Sequence, residues 1–459
     1  MPKIPTSRLA RTAKFGGLVA GQSARWAGTQ LANRARTPED AEAADAKRAL
    51  ALADELVTQL GQMKGAAMKL GQVLSTVDFE MVPEGEREEF KAKLAALRDD
   101  APQVPFAKMR DVLIDDLGGS LDEHFREFDR TPVAAASIGQ VYRAMLHDGR
   151  DVAVKVQYPG VAEAVETDLR NAAILLPLVK RLAPGLDAKA ILAELRERIG
   201  EELDYELEAQ HHRRVWRAFR GHPFILVPAV VTSMSTRRVL ITEFVEGRGF
   251  AEVQKLDEAQ RDRFAEICFR FFYGLLRRER TAAGDPHPGN YLLAQDGRVC
   301  FLDFGFVRRM DADYLDEERA LAQAVIAQDA QAVHDHMASL GYLPDPDAFE
   351  PERILGQLSL AGEWYFTTGF RRLSPQYVRE SMELSGSPAS PYFEDMRRQT
   401  IPPQALLLRR MEGLLFSVLG ELRAGADWGT LALEYIADQG PSTELGRAEA
   451  AWVAASPHA

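Results

Sequence analysis

Between Gly284 and Gly305 the chain reads Gly284-Asp285-Pro286-His287-Pro288-Gly289-Asn290, then the apolar run Val299-Cys300-Phe301-Leu302, then Asp303-Phe304-Gly305. A loop stiffened by proline, a short buried strand and a glycine that lets the chain turn away sharply leave few ways to fold. They set two carboxylates and one amide, Asp285, Asn290 and Asp303, at separations of five and thirteen residues. That pair of spacings fits a catalytic loop followed by a metal-binding loop in phosphoryl transfer, a reaction governed by positioning and charge compensation. Asp303, at a strand end, is the candidate Mg²⁺ ligand, Asn290 adds an oxygen without adding charge, and Asp285 is placed to orient or deprotonate an acceptor. Each motif also has a plainer reading, as a rigid surface turn or an ordinary loop. His287, between two prolines, is read as holding the loop through hydrogen bonds.

Upstream residues strengthen the chemical reading by arriving in chain order. Strand candidates lie at Ile138–Met145, Asp151–Gln157, Phe224–Val231 and Arg238–Phe244. In the second, Val152, Val154 and Val156 alternate with Lys155, which puts the lysine on the opposite sheet face from the valines. Lys155 is the candidate contact for a nucleotide's inner phosphates. Glu202 is the carboxylate chosen to hold it, with Glu197 and Asp204 as rivals, and a surface salt bridge explains any one of these acids equally well. Where a phosphate-cradling turn would carry glycines, the chain has Ala134, Ala135, Ala136 and Ser137 before Ile138-Gly139-Gln140. Alanine restricts the backbone there, so the geometry over the phosphates is expected to differ from that of an ordinary protein kinase. Backbone groups near Glu243 and Val245 are candidates for recognising an adenine edge; a buried sheet edge would use the same residues.

Composition narrows the partners. The chain has 459 residues and a formal net charge of -12, which argues against nonspecific nucleic-acid binding. Cys268 and Cys300, the only cysteines, are too few for a disulfide framework or thiolate metal site, and a reducing compartment fits. No run of eighteen apolar residues offers a membrane-spanning helix. Lys3, Arg8, Arg11, Lys14, Arg25, Arg34 and Arg36 nevertheless precede the first acid, Glu39, with Phe15, Leu18, Val19 and Trp26 among them. This arm suits an anionic bilayer, and equally a solubilising terminus, a packed helix or a transit peptide.

The expected fold is α+β: a small antiparallel-sheet lobe and a helical lobe, preceded by a helical extension. Residues 1–39 form the basic arm, 40–124 the helical extension, 125–246 the sheet-rich lobe, 247–430 the helical lobe and 431–459 a C-terminal tail without a chemical role. Residues 342–350 and 385–403 read as loops.

Assembled, these residues closely resemble the UbiB/AarF-type atypical kinases, over roughly residues 50–425. The most specific marks are Lys69-Leu70-Gly71-Gln72, the alanine loop, Val154-Lys155-Val156-Gln157-Tyr158-Pro159-Gly160, Glu202-Leu203-Asp204-Tyr205, and the Asp285–Asn290 and Asp303–Gly305 segments. The resemblance implies a protein-kinase-like fold, ATP and Mg²⁺ as cofactors, and a role in ubiquinone or related isoprenoid-lipid metabolism. It implies that the Lys69/Gln72 helix folds over the active site, that Glu202 or Asp204 pairs with Lys69, and that another acid then serves Lys155. It further implies a lipid or quinone-precursor ligand, an anionic membrane surface or a lipid-biosynthetic complex as partners, and a cytoplasmic, peripheral location, or the mitochondrial matrix in a eukaryote. A nucleotide-binding scaffold and a small-molecule kinase are the competing expectations. Gly284 departs mildly from the family, which commonly carries alanine there.

Overall fold

The computed structural model describes residues 104–136, 138–167, 169–170, 200–387 and 390–455, with a few isolated positions elsewhere. The basic arm apart from Arg36 and Thr37, most of the helical extension with Lys69 and Gln72, and Ser137 lie outside the described residues. Packing divides the chain into two compact units, one ending at Leu207 and including Val231–Ile241, the other comprising Glu208–Val230 and Thr242–Ala459. Residues 208–230 and 242–246 of the expected lobe 125–246 thus fall in the second unit.

In the first unit, helix α1 (Phe106–Leu117) stops at Gly118, whose φ of +71° a side chain would disfavour. Strands β1 (Phe125–Phe128), β2 (Ala134–Ala136), β3 (Gly139–Leu146) and β4 (Asp151–Gln157) follow. With β6 (Val239–Glu243) they form a sheet ordered β1-β3-β4-β6, with β2 paired to β3. The expected boundaries of β4 match those observed. Val152, Val154 and Val156 are wholly buried and pack with Met109, Val112 and Leu113 of α1 and with Tyr142, Val239 and Ile241. Each buried valine contributes on the order of 1.5–3 kcal/mol, so this face fixes the register.

Gly139 is pinned by that register. It faces Gln157 across β3 and β4, and a Cβ there would overlap the Val156 carbonyl and reach the Tyr205 hydroxyl at 3.0 Å. Gly139→Ala is expected to lower unfolding stability by about 1–3 kcal/mol, read as a shifted denaturant midpoint. An unchanged midpoint would mean that the ladder opens there at little cost.

The expected strand Phe224–Val231 is corrected to a short strand, β5 (Ile225–Leu226), followed by a single bridge from Val230 to Thr242. Pro228 has no N–H to continue a ladder. The run instead serves two partners: Ile225 pairs in parallel with Val299, whereas the Val231 N–H donates to the Ile241 carbonyl.

The second unit is built on α3 (Glu258–Glu279), capped by Asp257, whose carboxylate accepts the Gln260 N–H at 2.8 Å. Phe264, Ile267, Cys268, Phe269 and Leu275 of α3 are fully buried with Leu415, Leu419 and Trp428. The cysteines are free and buried. Expected loop 385–403 contains a short helix at Phe393–Met396, and 342–350 a 3₁₀ turn at Pro346–Ala348. In the stretch expected as a tail, Trp428–Ile436 and Glu444–Ala455 are helices, and Leu431, Ala432 and Leu445 enter the core. Their acids surround Arg270, which is 1% exposed and contacts Glu266 at 2.7 Å, Glu434 at 2.8 Å and Glu449 at 3.1 Å.

Candidate active site

Two short ladders bring the candidate catalytic residues of the second unit together. After β7 (Gly247–Gly249), β8 (Thr281–Ala283) pairs with β11 (Val307–Arg309), Ala283 opposite Val307, and the Gly284 N–H donates to the Phe306 carbonyl at 2.9 Å. The loop leaving β8 and the loop entering β11 therefore lie side by side. Between them, β9 (Tyr291–Ala294) and β10 (Val299–Phe301) form a hairpin with Tyr291 opposite Phe301, and the Leu302 N–H donates to the Asn290 carbonyl at 3.0 Å. Register alone thus places Asn290 beside Asp303.

Asp285, Asn290 and Asp303 line one recess, walled by Phe271, Phe272, Tyr291 and Phe306. All three are partly exposed. The Asn290 amide nitrogen donates to the Asp285 carbonyl at 3.2 Å, which leaves its Oδ1 as an acceptor. Asp303 Oδ1 accepts the Gly305 N–H at 2.9 Å. His287 behaves as expected, its Nδ1 accepting the Gly289 N–H at 3.0 Å. Among the described residues no cluster of three His, Cys, Asp or Glu forms a self-sufficient metal cage. One or two carboxylates, an amide oxygen and open positions for phosphate oxygens are nevertheless the donor set that suits Mg²⁺.

Three neighbouring residues escaped the sequence reading. Arg410 donates from Nε to the Gly284 carbonyl at 2.9 Å and approaches Asp285 at 3.7 Å, steadying the loop that carries Asp285. On the helix α2 (Tyr205–Ala218), Glu208 is 3% exposed and comes within 3.8 Å of where a Cβ on Gly305 would sit, beside Asp303. His212, one turn on and equally buried, lies 4.6 Å from the Phe304 ring. The missed signal was periodic: Tyr205, Glu208, His212, Val215 and Phe219 recur at helical spacing on the buried face. A glutamate within such a stripe is not a solvated surface charge.

Glu202 precedes this helix and is half-buried. Asp204 caps the helix, its Oδ1 accepting the Glu206 and Leu207 N–H groups at 3.1 Å. In the first unit, Lys155 sits opposite Val141 on the face away from the valines, its Nζ 4.9 Å from the Tyr205 ring centroid. Ala134, Ala135 and Ala136 pair with Val141, Gln140 and Gly139, so the alanine segment is one arm of a hairpin rather than an open loop. The Glu243 N–H donates to the Ala229 carbonyl, and its carboxylate accepts the Ala229 N–H, both at 2.9 Å. The Glu243 carbonyl and the Val245 N–H remain as candidates for base recognition.

Gly284 is matched to its surroundings: a Cβ there would overlap Leu407 and Phe306. The glycine therefore goes together with large neighbours at those two positions.

The ABC1 atypical kinase-like domain matches residues 96–337. Rat mitochondrial atypical kinase COQ8B is 32% identical over 80% of this chain and 71% of its own length. Caenorhabditis elegans coq-8 is 31% identical over 74% of this chain but only 46% of its own length. Baker's yeast COQ8 is 28% identical, over 74% and 67%. A solved structure, the Mycobacterium tuberculosis Rv3197–erythromycin complex, superposes with a TM-score of 0.63 at 31% identity, covering 84% of this chain and 95% of that one. Together with the loop geometry, these likenesses show that the chain belongs to the ABC1 (UbiB/AarF-type) atypical kinase-like family and has its protein-kinase-like α+β fold.

Proposed function

We propose that the chain is an Mg·ATP-dependent atypical kinase or ATPase supporting ubiquinone or related isoprenoid-lipid metabolism. The observation that carries this reading is the meeting of Asp285, Asn290 and Asp303 in one recess. Asn290 Oδ1 and the Asp303 carboxylate would hold Mg²⁺, which supplies charge neutralisation on the transferring phosphate. Asp285, steadied by Arg410, would orient the acceptor hydroxyl or water and take its proton. Lys155 would bind the inner phosphates, and the Glu243 carbonyl and Val245 N–H the base. The atypical-kinase names of the COQ8 relatives support the assignment. Anionic membrane and quinone-precursor-like phenols are the proposed environment, and among the described residues no helix is long and apolar enough to cross a membrane.

Within this reading Glu208, rather than Glu202, is the acid that serves Lys155, supported by its burial beside the Asp303–Gly305 turn. Glu202 is then left to the Lys69 helix. Glu208→Gln is expected to lower kcat for ATP hydrolysis by at least about tenfold and to add little once Lys155 is already Met. Glu202→Gln should leave that coupling intact. Equal coupling of both glutamates to Lys155 would contradict the assignment.

The proposal as a whole is tested by phosphate release from ATP with and without Mg²⁺, anionic liposomes and alkyl phenols. Mg²⁺-dependent turnover that rises with either addition is expected. A protein that binds no nucleotide at any Mg²⁺ concentration would exclude it.

A further inference from the structure

The second unit contains a cavity of about 660 Å³ that belongs to no part of the nucleotide machinery. That is within the usual range for small-molecule sites, whereas packed protein interiors leave few voids much larger than a water molecule. Its wall is aromatic: Tyr273, Trp364, Tyr365, Phe366, Phe416 and Tyr435. Trp364 and Phe416 stack at 4.8 Å.

Polar groups in the cavity are unevenly matched. Arg409 donates from Nη1 to Glu412 at 2.8 Å and from Nη2 to Glu318. Glu318 is also served by the Tyr314 and Tyr342 hydroxyls. One guanidinium thus answers two carboxylates, and Glu412 is the less satisfied. Burial pushes the Glu412 carboxyl up to about 7, Arg409 opposing and Glu318 reinforcing the shift. The Tyr273 hydroxyl, in a side chain 93% buried by its 7% exposure, has no hydrogen-bond partner among the described residues. Among the other charged residues of the lining, Arg277 and Arg319 meet Asp438 and Arg278 meets Glu449, while Arg280 and Asp316 add one charge of each sign.

We propose that this cavity binds a lipophilic amine, its cationic head against Glu412 and the Tyr273 hydroxyl and its apolar body against Trp364, Tyr365 and Phe416. A cation would give Glu412 a counter-charge of its own, where Arg409 is shared with Glu318. Aromatic faces attract it further, each well-placed ring contributing on the order of 0.5–2 kcal/mol. A neutral alcohol of the same shape keeps the apolar contacts and one hydrogen bond but lacks the charge that meets Glu412.

The test is calorimetric titration of the full chain at pH 8 with 4-phenylbutylamine and with the uncharged 4-phenylbutan-1-ol. The amine is expected to bind at least about tenfold more tightly, and Glu412→Gln to erase that ratio. Should Glu412→Gln fail to fold, Gly413→Leu decides. Gly413 lines the cavity, and a Cβ there meets nothing within 4 Å. A leucine would therefore fill the space while improving helix propensity. Its expected result is loss of amine binding with the thermal midpoint kept or raised. Equal affinity for amine and alcohol, no saturable amine binding, or undiminished amine binding by Gly413→Leu would each overturn the proposal.

Discussion

Asp303→Asn should lower Mg²⁺-dependent phosphate release by about 10²–10³-fold without loosening the fold. The asparagine retains an Oδ1 that can accept the Gly305 N–H, so the turn held at 2.9 Å in the native protein has no reason to open. What disappears is the negative charge that, in the proposed site, would anchor Mg²⁺ beside Asn290. ATP affinity should therefore fall in the presence of Mg²⁺ and change little in its absence, with an unaltered thermal midpoint. The same variant separates catalysis from scaffolding. An Asp303→Asn protein that captures partners normally but fails to restore the cellular pathway supports the enzyme reading. Restoration by a protein that releases no phosphate would favour a scaffold.

Arg270→Met is expected to cost about 3–5 kcal/mol of unfolding free energy at pH 7, measured by denaturant titration. The native guanidinium meets Glu266, Glu434 and Glu449, and its Nη2 also donates to Thr443 at 2.9 Å. Methionine fills similar volume but strands three largely buried carboxylates. The pH dependence follows from Glu449. Burial acts to raise its pKa, but His222, Arg278 and Arg270 hold it at about 2. Because this folded value lies below that of the unfolded chain, the stabilisation is fully present above about pH 4.5 and is lost as pH falls toward 2. The gap between wild type and Arg270→Met should accordingly narrow through that window. A constant gap would mean that packing, not charge, accounts for the loss.

The parts of the fold readable from sequence were those with a short, strict period. Val152, Val154 and Val156 alternate without interruption, and their strand runs from Asp151 to Gln157 as expected. Phe224–Val231 failed because apolar content was weighed above Pro228, which divides the run between two sheets. The Ala-rich end of the chain read as a tail because its function is long-range. Glu434 and Glu449 both meet Arg270, more than 160 residues away in sequence.

The site was legible to a similar degree. Asp285, Asn290 and Asp303 could be named because loop, hairpin and turn convert their spacing directly into proximity. Arg410 could not, since nothing within 100 residues of it in sequence predicts its reach to the Gly284 carbonyl. Glu208 was visible in principle. It was lost among neighbouring acids because charge was read before the helical stripe that buries it.

The central claim is that Lys155, Asn290 and Asp303 act on one metal-bound triphosphate, and a crystal structure with Mg²⁺ and a non-hydrolysable ATP analogue tests it most directly. The account predicts Asn290 and Asp303 oxygens about 2.0–2.2 Å from a single Mg²⁺, and Lys155 Nζ within about 3.2 Å of a phosphate oxygen of the same nucleotide. A nucleotide seated elsewhere, or a metal that engages neither Asn290 nor Asp303, would contradict it.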